Sequence, residues 1–381
     1  MQRFYLPTEV ITGRGCLSEL GHVAARYGER AMLVCGTRFA QRSGLLRRAT
    51  ALLEEAGVAV TLYDQVAGEA DLSVVEQGIH LARREECRVF IGIGGGSAID
   101  TAKAIAGMVN LPGTVWEYHQ GRKLEQAGLP FIAVPTTAGT GAEATKNAVL
   151  INPRTNYKTS IRDDAWYARA ALVDPETTVS MPPDVTASTG SDALCQAIES
   201  FTSIGAGPIT DAWAKEAIQL IGGSLYRAYA QGDDLEAREA MSMGSLLAGM
   251  AMSNARLGAI HGMAHPLGGH YHIPHGVVCG LLLPYTMAYN LPCTVAKYAE
   301  IAALLGENIT GLSAQAAAER AVERVRELVT QIGVPLHLRE FGVREENLDL
   351  IIEESLPSSS LKHNPRPLDA EDVRNILLAA L

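Results

Sequence analysis

No two of the six cysteines form a CxxC pair: Cys16, Cys35, Cys87, Cys195, Cys279 and Cys293 are scattered along 381 residues. This spacing excludes a zinc ribbon, and a chain of this size does not need a disulfide framework. They read as buried thiols of a reducing, cytoplasmic compartment. Basic residues are scarce as well, with 32 Lys and Arg against 42 Asp and Glu and a net charge of −10. That balance argues against nucleic acid, whose phosphates are held by clustered cations. No apolar run approaches the roughly 20 residues that cross a bilayer, so no membrane partner is expected. The opening MQRFYLPTEV has no basic stretch leading into an apolar one, and no secretory signal is expected. What remains is 47% hydrophobic and 19% charged, which fits a globular protein with a large buried fraction. The length exceeds one ordinary core, and two domains are expected.

The two halves follow different patterns. From about residue 29 to 175, short apolar runs alternate with helical stretches. AMLVCG (31–36), VAVTLYD (58–64), RVFIGIGGG (88–96) and LPFIAVPTT (129–137) read as strands, with helices over 42–57 and roughly 71–86 between them. Such alternation predicts an α/β, Rossmann-like parallel sheet covered by helices. After PETTVSMPPDV (175–185) strand signals nearly vanish, and helical patterns cover 191–202, 211–230, 235–255, 294–305 and 312–332. Pro182-Pro183 serves as a hinge. The expected division is an α/β dinucleotide-binding domain over 1–180 and an all-α domain over 181–381.

In the first half, GGGSAIDTAK (94–103) ends a predicted strand and opens a predicted helix. Gly94, Gly95 and Gly96 let the backbone approach a ligand, and the exposed N–H groups of a helix start favour an anion. Ser97, Asp100 and Lys103 add polar and charged groups at helix spacing, pointing to a phosphate; glycine turns of this kind also arise for tight packing alone. A second loop, PTTAGTGAEAT (135–145), carries Thr136, Thr137 and Thr140 and reads either as a wall of a nicotinamide pocket or as a connection. The first strand ends in Cys35-Gly36-Thr37-Arg38, without the acid that grips the ribose 2′-hydroxyl of NAD. Arg38 can pair with a 2′-phosphate, so NADP(H) is favoured over NAD(H); the bland alternative makes Arg38 a solvated helix cap.

The second half holds five histidines between 261 and 275, in HGMAHPLGGHYHIPHG (261–276). About seventy residues upstream, TGSDALCQAIES (189–200) carries Asp192 and, one turn on, Gln196. Pairs at i,i+4 project from one helix face, which applies to Asp192 with Gln196 and to His261 with His265. So dense a histidine cluster points to His261 and His275 converging on a metal, with His270 and His272 as structural or pocket-lining residues. Cys195 is expected to point away from the Asp192–Gln196 face and is not counted as a ligand.

Taken in order, FYLPTEVITGRGCLSELG (4–21), GGGSAIDTAK, PTTAGTGAEAT, DALCQAIES, HGMAHPLG, PHGVVCGLLLP (274–284) and NPRPLDAEDV (364–373) resemble the iron-containing (group III) alcohol dehydrogenases across nearly the whole chain. The resemblance implies a Rossmann-like domain followed by an all-helical one, a dehydroquinate synthase-like architecture. It also implies a homodimer or higher homo-oligomer, and a divalent metal bound by one Asp and three His at the domain interface. Carried over position by position, the ligands are Asp192, Gln196, His261 and His275, with Gln196 standing where the family has His. Fe²⁺ is expected first, with Zn²⁺ or Mn²⁺ as alternatives. A carboxamide oxygen is a weaker, harder donor than imidazole, while three remaining ligands suffice for a catalytic site with an open position. The implied activity is hydride transfer between NAD(P)(H) and an alcohol, aldehyde or ketone, with the metal polarising the substrate's oxygen. His265 matches a family histidine near the nicotinamide and is the candidate proton relay. Arg256 in MSNARLGAIHG (252–262) either meets an anionic substrate group or caps a helix. Two other readings are a nucleotide-binding pseudoenzyme whose site decayed at Gln196 and a dehydroquinate-synthase-like cyclase. The cyclase would need several cations around a phosphorylated substrate, and the metal segments offer mainly Arg256.

Overall fold

A computed structural model of the chain describes residues 3–37, 44–155 and 157–381. The chain forms two compact units, one of Leu6–Thr137 with Gly141–Val179, the other of Ala138–Thr140 and Ser180–Leu381 with the residues up to Tyr5.

The first unit is built on a six-stranded sheet of β1 (Glu9–Thr12), β2 (Arg30–Gly36), β3 (Ala59–Val66), β4 (Val89–Gly94), β5 (Phe131–Pro135) and β8 (Ala170–Val173). The order is β1-β8-β5-β4-β2-β3, and every pairing is parallel. Its central strands are apolar throughout because helices cover both faces. Alternate side chains go to opposite layers: Met32, Val34 and Phe90 to one, Leu33, Ile91 and Ile93 to the other. Helices α1 (Leu20–Ala25) and α2 (Gly44–Glu55) pack on the second layer, and α3 (Leu72–Arg84) and α4 (Gly96–Met108) on the first. A short α5 (Val115–His119) and an antiparallel hairpin of β6 (Asn147–Ile151) and β7 (Lys158–Arg162) complete the unit. The expected strands and helices are present with ends shifted by a few residues. β1 and β8, only four residues each, and the hairpin carry too short a pattern to stand out.

Strand order reverses between β2 and β4, one leading outward to β3 and the other to β5. Parallel sheets open a crevice at the carboxyl ends of strands where the order reverses. Here those ends are Cys35-Gly36-Thr37 and Gly94-Gly95-Gly96.

The second unit is helical among the described residues: α6 (Pro183–Thr202), α7 (Pro208–Ala230), α8 (Leu235–Ala255), α9 (Ala259–Tyr271), α10 (His275–Leu304), α11 (Ala314–Gln331), α12 (Leu348–Ser355) and α13 (Ala370–Ala379). Pro183 opens α6, where a missing N–H costs nothing. From Gly190 to Thr202 every residue of α6 is buried, because α7, α8 and α10 pack around it. α10 runs far longer than the 294–305 pattern predicts. Pro284 and Pro292 lie inside it, each costing about 3 kcal/mol against Ala in an isolated helix. Packing against α6 and α11 offsets that cost.

Candidate active site

Close approach of α6 and α10 creates the site. A Cβ on Gly276 would stand 2.0 Å from the carbonyl oxygen of Ser188, so only glycine lets the first turn of α10 lie against α6. That contact sets His275 and Cys279, one turn apart on α10, beside Asp192 on α6. The third wall is α9, whose first turn carries His261. Nε2 of His261 lies 3.2 Å from Asp192 Oδ1, and Nε2 of His275 lies 3.8 Å from the same oxygen. Sγ of Cys279 is 3.6 Å from His275 Nε2 and 3.9 Å from His261 Nε2. Asp192, His261 and Cys279 are buried, whereas the side chain of His275 is 28% exposed and marks the open side. The structure thus brings together three of the four expected ligands. Gln196 is buried on α6, and its Oε1 has no hydrogen-bond partner among the described residues.

Two participants escaped the sequence reading, and both had a signal. Glu199 follows Asp192 by seven residues, two turns along the same face. Its Oε2 lies 2.6 Å from Nδ1 of His261, and its Oε1 accepts from the backbone N–H of Ile260 at 2.7 Å. One carboxylate therefore caps α9, whose own Gly258 cap has no side chain, and fixes the imidazole tautomer. With Nδ1 held by Glu199, Nε2 is the nitrogen turned toward Asp192, the arrangement in which a carboxylate orients a metal-binding histidine. Cys279 is the other, at i,i+4 from His275.

The expectation for Cys195 is corrected. Three residues after Asp192 is the same face rather than the opposite one, and its Sγ lies 3.9 Å from Nδ1 of His261. Burial and a hydrogen bond to Cys279 push the Cys195 thiol upward. Burial also works against the Cys279 thiolate, but Cys195 and the two imidazoles outweigh it and hold Cys279 well below the ordinary thiol range. At His261 burial disfavours the imidazolium, yet Cys279, Asp192 and Glu199 together raise it well above the usual value.

The donor set fits a divalent cation. Carboxylate, imidazole and thiolate lone pairs meet within 4.8 Å of one another, and such groups bind a cation once deprotonated. Among the other histidines, His265 is exposed and stacks on His275 with ring centroids 5.5 Å apart. His270 pairs with Glu354 at 2.9 Å on the surface, and His272 ends α9 in a left-handed conformation. Arg256 closes α8 at φ 72°, ψ 179°, and is exposed.

In the first unit, Gly94 turns the chain from β4 into α4 at φ 153°, and a Cβ there would come 2.7 Å from that of Ala98. Gly95, Gly96 and Ser97 are partly exposed at the start of α4, where free N–H groups favour an anion. Thr136 donates its backbone N–H to Gly94 at 2.9 Å, and the Thr137 side chain lies against Gly95. Thr140 falls in the stretch that groups with the helical unit. Gly36 ends β2, and Thr37 donates its hydroxyl to Val66 at 3.2 Å. Arg38 lies outside the described residues.

Asp100 and Lys103 do not present themselves to a phosphate, which corrects that expectation. Lys103 is 1% exposed, and its Nζ donates to the carbonyls of Ala142 and Asn147, each at 2.8 Å, and to Thr145 Oγ1 at 3.0 Å. Asp100 lies 3.4 Å from that ammonium and accepts from the N–H of Val149 at 2.9 Å. The pair fastens α4 to the 142–149 segment.

Residues 7–175 match the iron-containing alcohol dehydrogenase family, and residues 186–381 match its C-terminal counterpart, the Fe-containing alcohol dehydrogenase C-terminal family. An NAD-dependent methanol dehydrogenase of Bacillus methanolicus is 35% identical over the whole of both chains. A 1,3-propanediol dehydrogenase of Klebsiella pneumoniae is 40% identical over 93% of this chain and 92% of its own. The crystal structure of a 1,3-propanediol oxidoreductase superposes with a TM-score of 0.97 at 38% identity, covering 100% of both chains.

Proposed function

The chain belongs to the iron-containing alcohol dehydrogenase family and is a nicotinamide-dependent alcohol dehydrogenase or aldehyde reductase, and from that premise we propose how its own residues carry the reaction. Neither the cyclase nor the pseudoenzyme reading is favoured by its relatives. The observation that carries the proposal is the meeting of Asp192, His261 and His275 from three helices, with Glu199 behind His261.

These residues hold the divalent metal, which supplies Lewis acidity toward a substrate oxygen when bound. Glu199 keeps Nδ1 of His261 occupied, so that only Nε2 is presented. Substrate enters past His275, the exposed member of the set. His265, stacked on His275 and open to solvent, passes the alcohol proton to water. In the first unit the N–H groups of Gly95, Gly96 and Ser97 hold the dinucleotide's pyrophosphate. Thr136 and Thr137 shape the neighbouring wall.

The finer preference for NADP(H) rests on the absence of an acid over residues 35–38, and the name of the NAD-dependent Bacillus relative points the other way. The ratio of kcat/KM for NADPH and NADH decides it. Assembly into a homo-oligomer belongs to the same proposal and is read by light scattering.

The test is elemental analysis of protein purified without chelator, followed by a screen of alcohols, aldehydes and ketones monitored by nicotinamide absorbance. Bound divalent metal with net nicotinamide turnover is expected. A protein that takes up no metal after soaking, or shows no net cofactor change with any substrate, overturns the proposal. Replacing His265 with Ala should lower turnover while metal content stays unchanged; loss of metal would make His265 a ligand instead.

A further inference from the structure

We propose that Cys279 is the fourth metal ligand of this chain, so that the centre is Asp192–His261–His275–Cys279 and takes zinc in preference to ferrous iron or manganese. The inference rests on the metal-dependent reading above and specifies its ligand set and its ion.

Three observations carry it. First, the position one turn after Asp192 holds a neutral carboxamide, Gln196, while the position one turn after His275 holds a thiol. Both pairs stand at i,i+4 and project from one face, so a ligand has moved from α6 to α10. Second, the four donor atoms are already spaced as a metal needs them. Four of their six separations are 3.2 Å (His261–Asp192), 3.6 Å (His275–Cys279), 3.8 Å (His275–Asp192) and 3.9 Å (His261–Cys279), and the other two lie within 4.8 Å. A tetrahedral ion with bonds of about 2.0–2.3 Å sets its donors about 3.3–3.8 Å apart. Third, the neighbouring thiol is on the wrong side. Cys195 faces Nδ1 of His261, the nitrogen held by Glu199, whereas Cys279 faces Nε2.

A thiolate is a soft donor and favours zinc over the harder ions. Ligation releases the thiol proton to solvent and forms the metal–sulfur bond, with no change of oxidation state. Four protein ligands do not shut the centre, because catalytic zinc can expand to five-coordinate, and His275 leaves one side open.

The experiment uses the full-length protein under reductant, loaded with cobalt(II) as a spectroscopic probe, together with C279S and C195S. Wild type should bind one cobalt per chain with an intense thiolate-to-cobalt charge-transfer band in the near ultraviolet. C195S should keep the band. C279S should still bind cobalt through Asp192, His261 and His275 but lose the band. Its preference for zinc over manganese should fall at least about tenfold, the low end of what losing even an outer partner costs a metal site. Should C279S fail to fold, the band in wild type and in C195S decides the matter. Cobalt bound without the band, or a band that survives in C279S, overturns the thiolate ligand and leaves the metal-dependent function standing. Wild type that binds neither cobalt nor zinc overturns both.

Discussion

Asp100 and Lys103 on α4, and Asp192 and His261 on α6 and α9, are all buried, all helical and all close to motifs that draw the eye in the sequence. The first pair is closed on itself: Lys103 meets two carbonyls and a hydroxyl within 3.0 Å, and Asp100 takes up the remaining charge. The second group is open. Asp192, His261, His275 and Cys279 each bring one possible ligand atom within 4.8 Å of the others, and the ion pairs recorded at Asp192, His261 and His275 are with one another and Glu199. A buried charge whose partners already balance it is structural. A buried cluster of carboxylate, imidazole and thiol groups with no Lys or Arg in an ion pair with it suits a cation. The hydrogen-bond and ion-pair partners, more than burial, separate the two cases.

Breaking the open cluster should have the largest effect. His261→Ala is expected to release the metal and lower turnover on the order of 10⁴-fold, about 5.5 kcal/mol in barrier, read by elemental analysis and steady-state kinetics. Retained metal with near-normal turnover would place the chemistry elsewhere. Breaking the closed pair should affect stability instead. Lys103→Met leaves Asp100 buried without its counter-charge and is expected to cost about 3–5 kcal/mol, measured by urea unfolding. The KM for nicotinamide cofactor in the folded variant should not change, and a large rise would return Lys103 to the phosphate site.

Glu143 sharpens the contrast, since it is buried near the closed pair without being balanced by it. Burial raises its carboxyl from 4.5 to about 7, against the opposing pull of its own backbone N–H and of Lys103. The carboxyl favours the folded state most below the unfolded value, and that contribution is lost as pH rises from about 4.5 to about 7. At about 1.36 kcal/mol per unit, wild type should lose up to about 3 kcal/mol across this interval. Glu143→Gln should flatten the decline, and unfolding free energies that fall equally in both proteins would locate the titration in another group. The smallest effect belongs to Glu199→Gln, where the capping oxygen survives and the charge behind His261 does not. Metal affinity should fall roughly 10–100-fold with the fold intact, as followed by chelator competition.

The glycine turn at Gly94 was legible because its cause is local: a strand ends, a helix begins, and the positive φ admits no side chain cheaply. The pairing of Asp192 with Gln196 and of His261 with His265 was legible for the same reason, since a helix fixes which residues share a face. The same arithmetic, applied fully, reaches Cys195, Glu199 and Cys279, at three, seven and four residues from their anchors. Proline content hid the first turns of α10, because an isolated helix with Pro284 and Pro292 is unfavourable and only its neighbours hold it.

By itself, then, the sequence determined the strand–helix alternation, the family and the residue types of the site, all of which depend on short-range periodicity or on motif order. Tertiary structure alone decided that Lys103 serves the 142–149 segment rather than a ligand, that Glu199 stands behind His261, and that the Cys279 thiol comes beside His261 and His275. Each of these depends on how closely two helices or a helix and a loop approach, and that distance is set by contacts such as Gly276 on Ser188, between residues far apart in the chain.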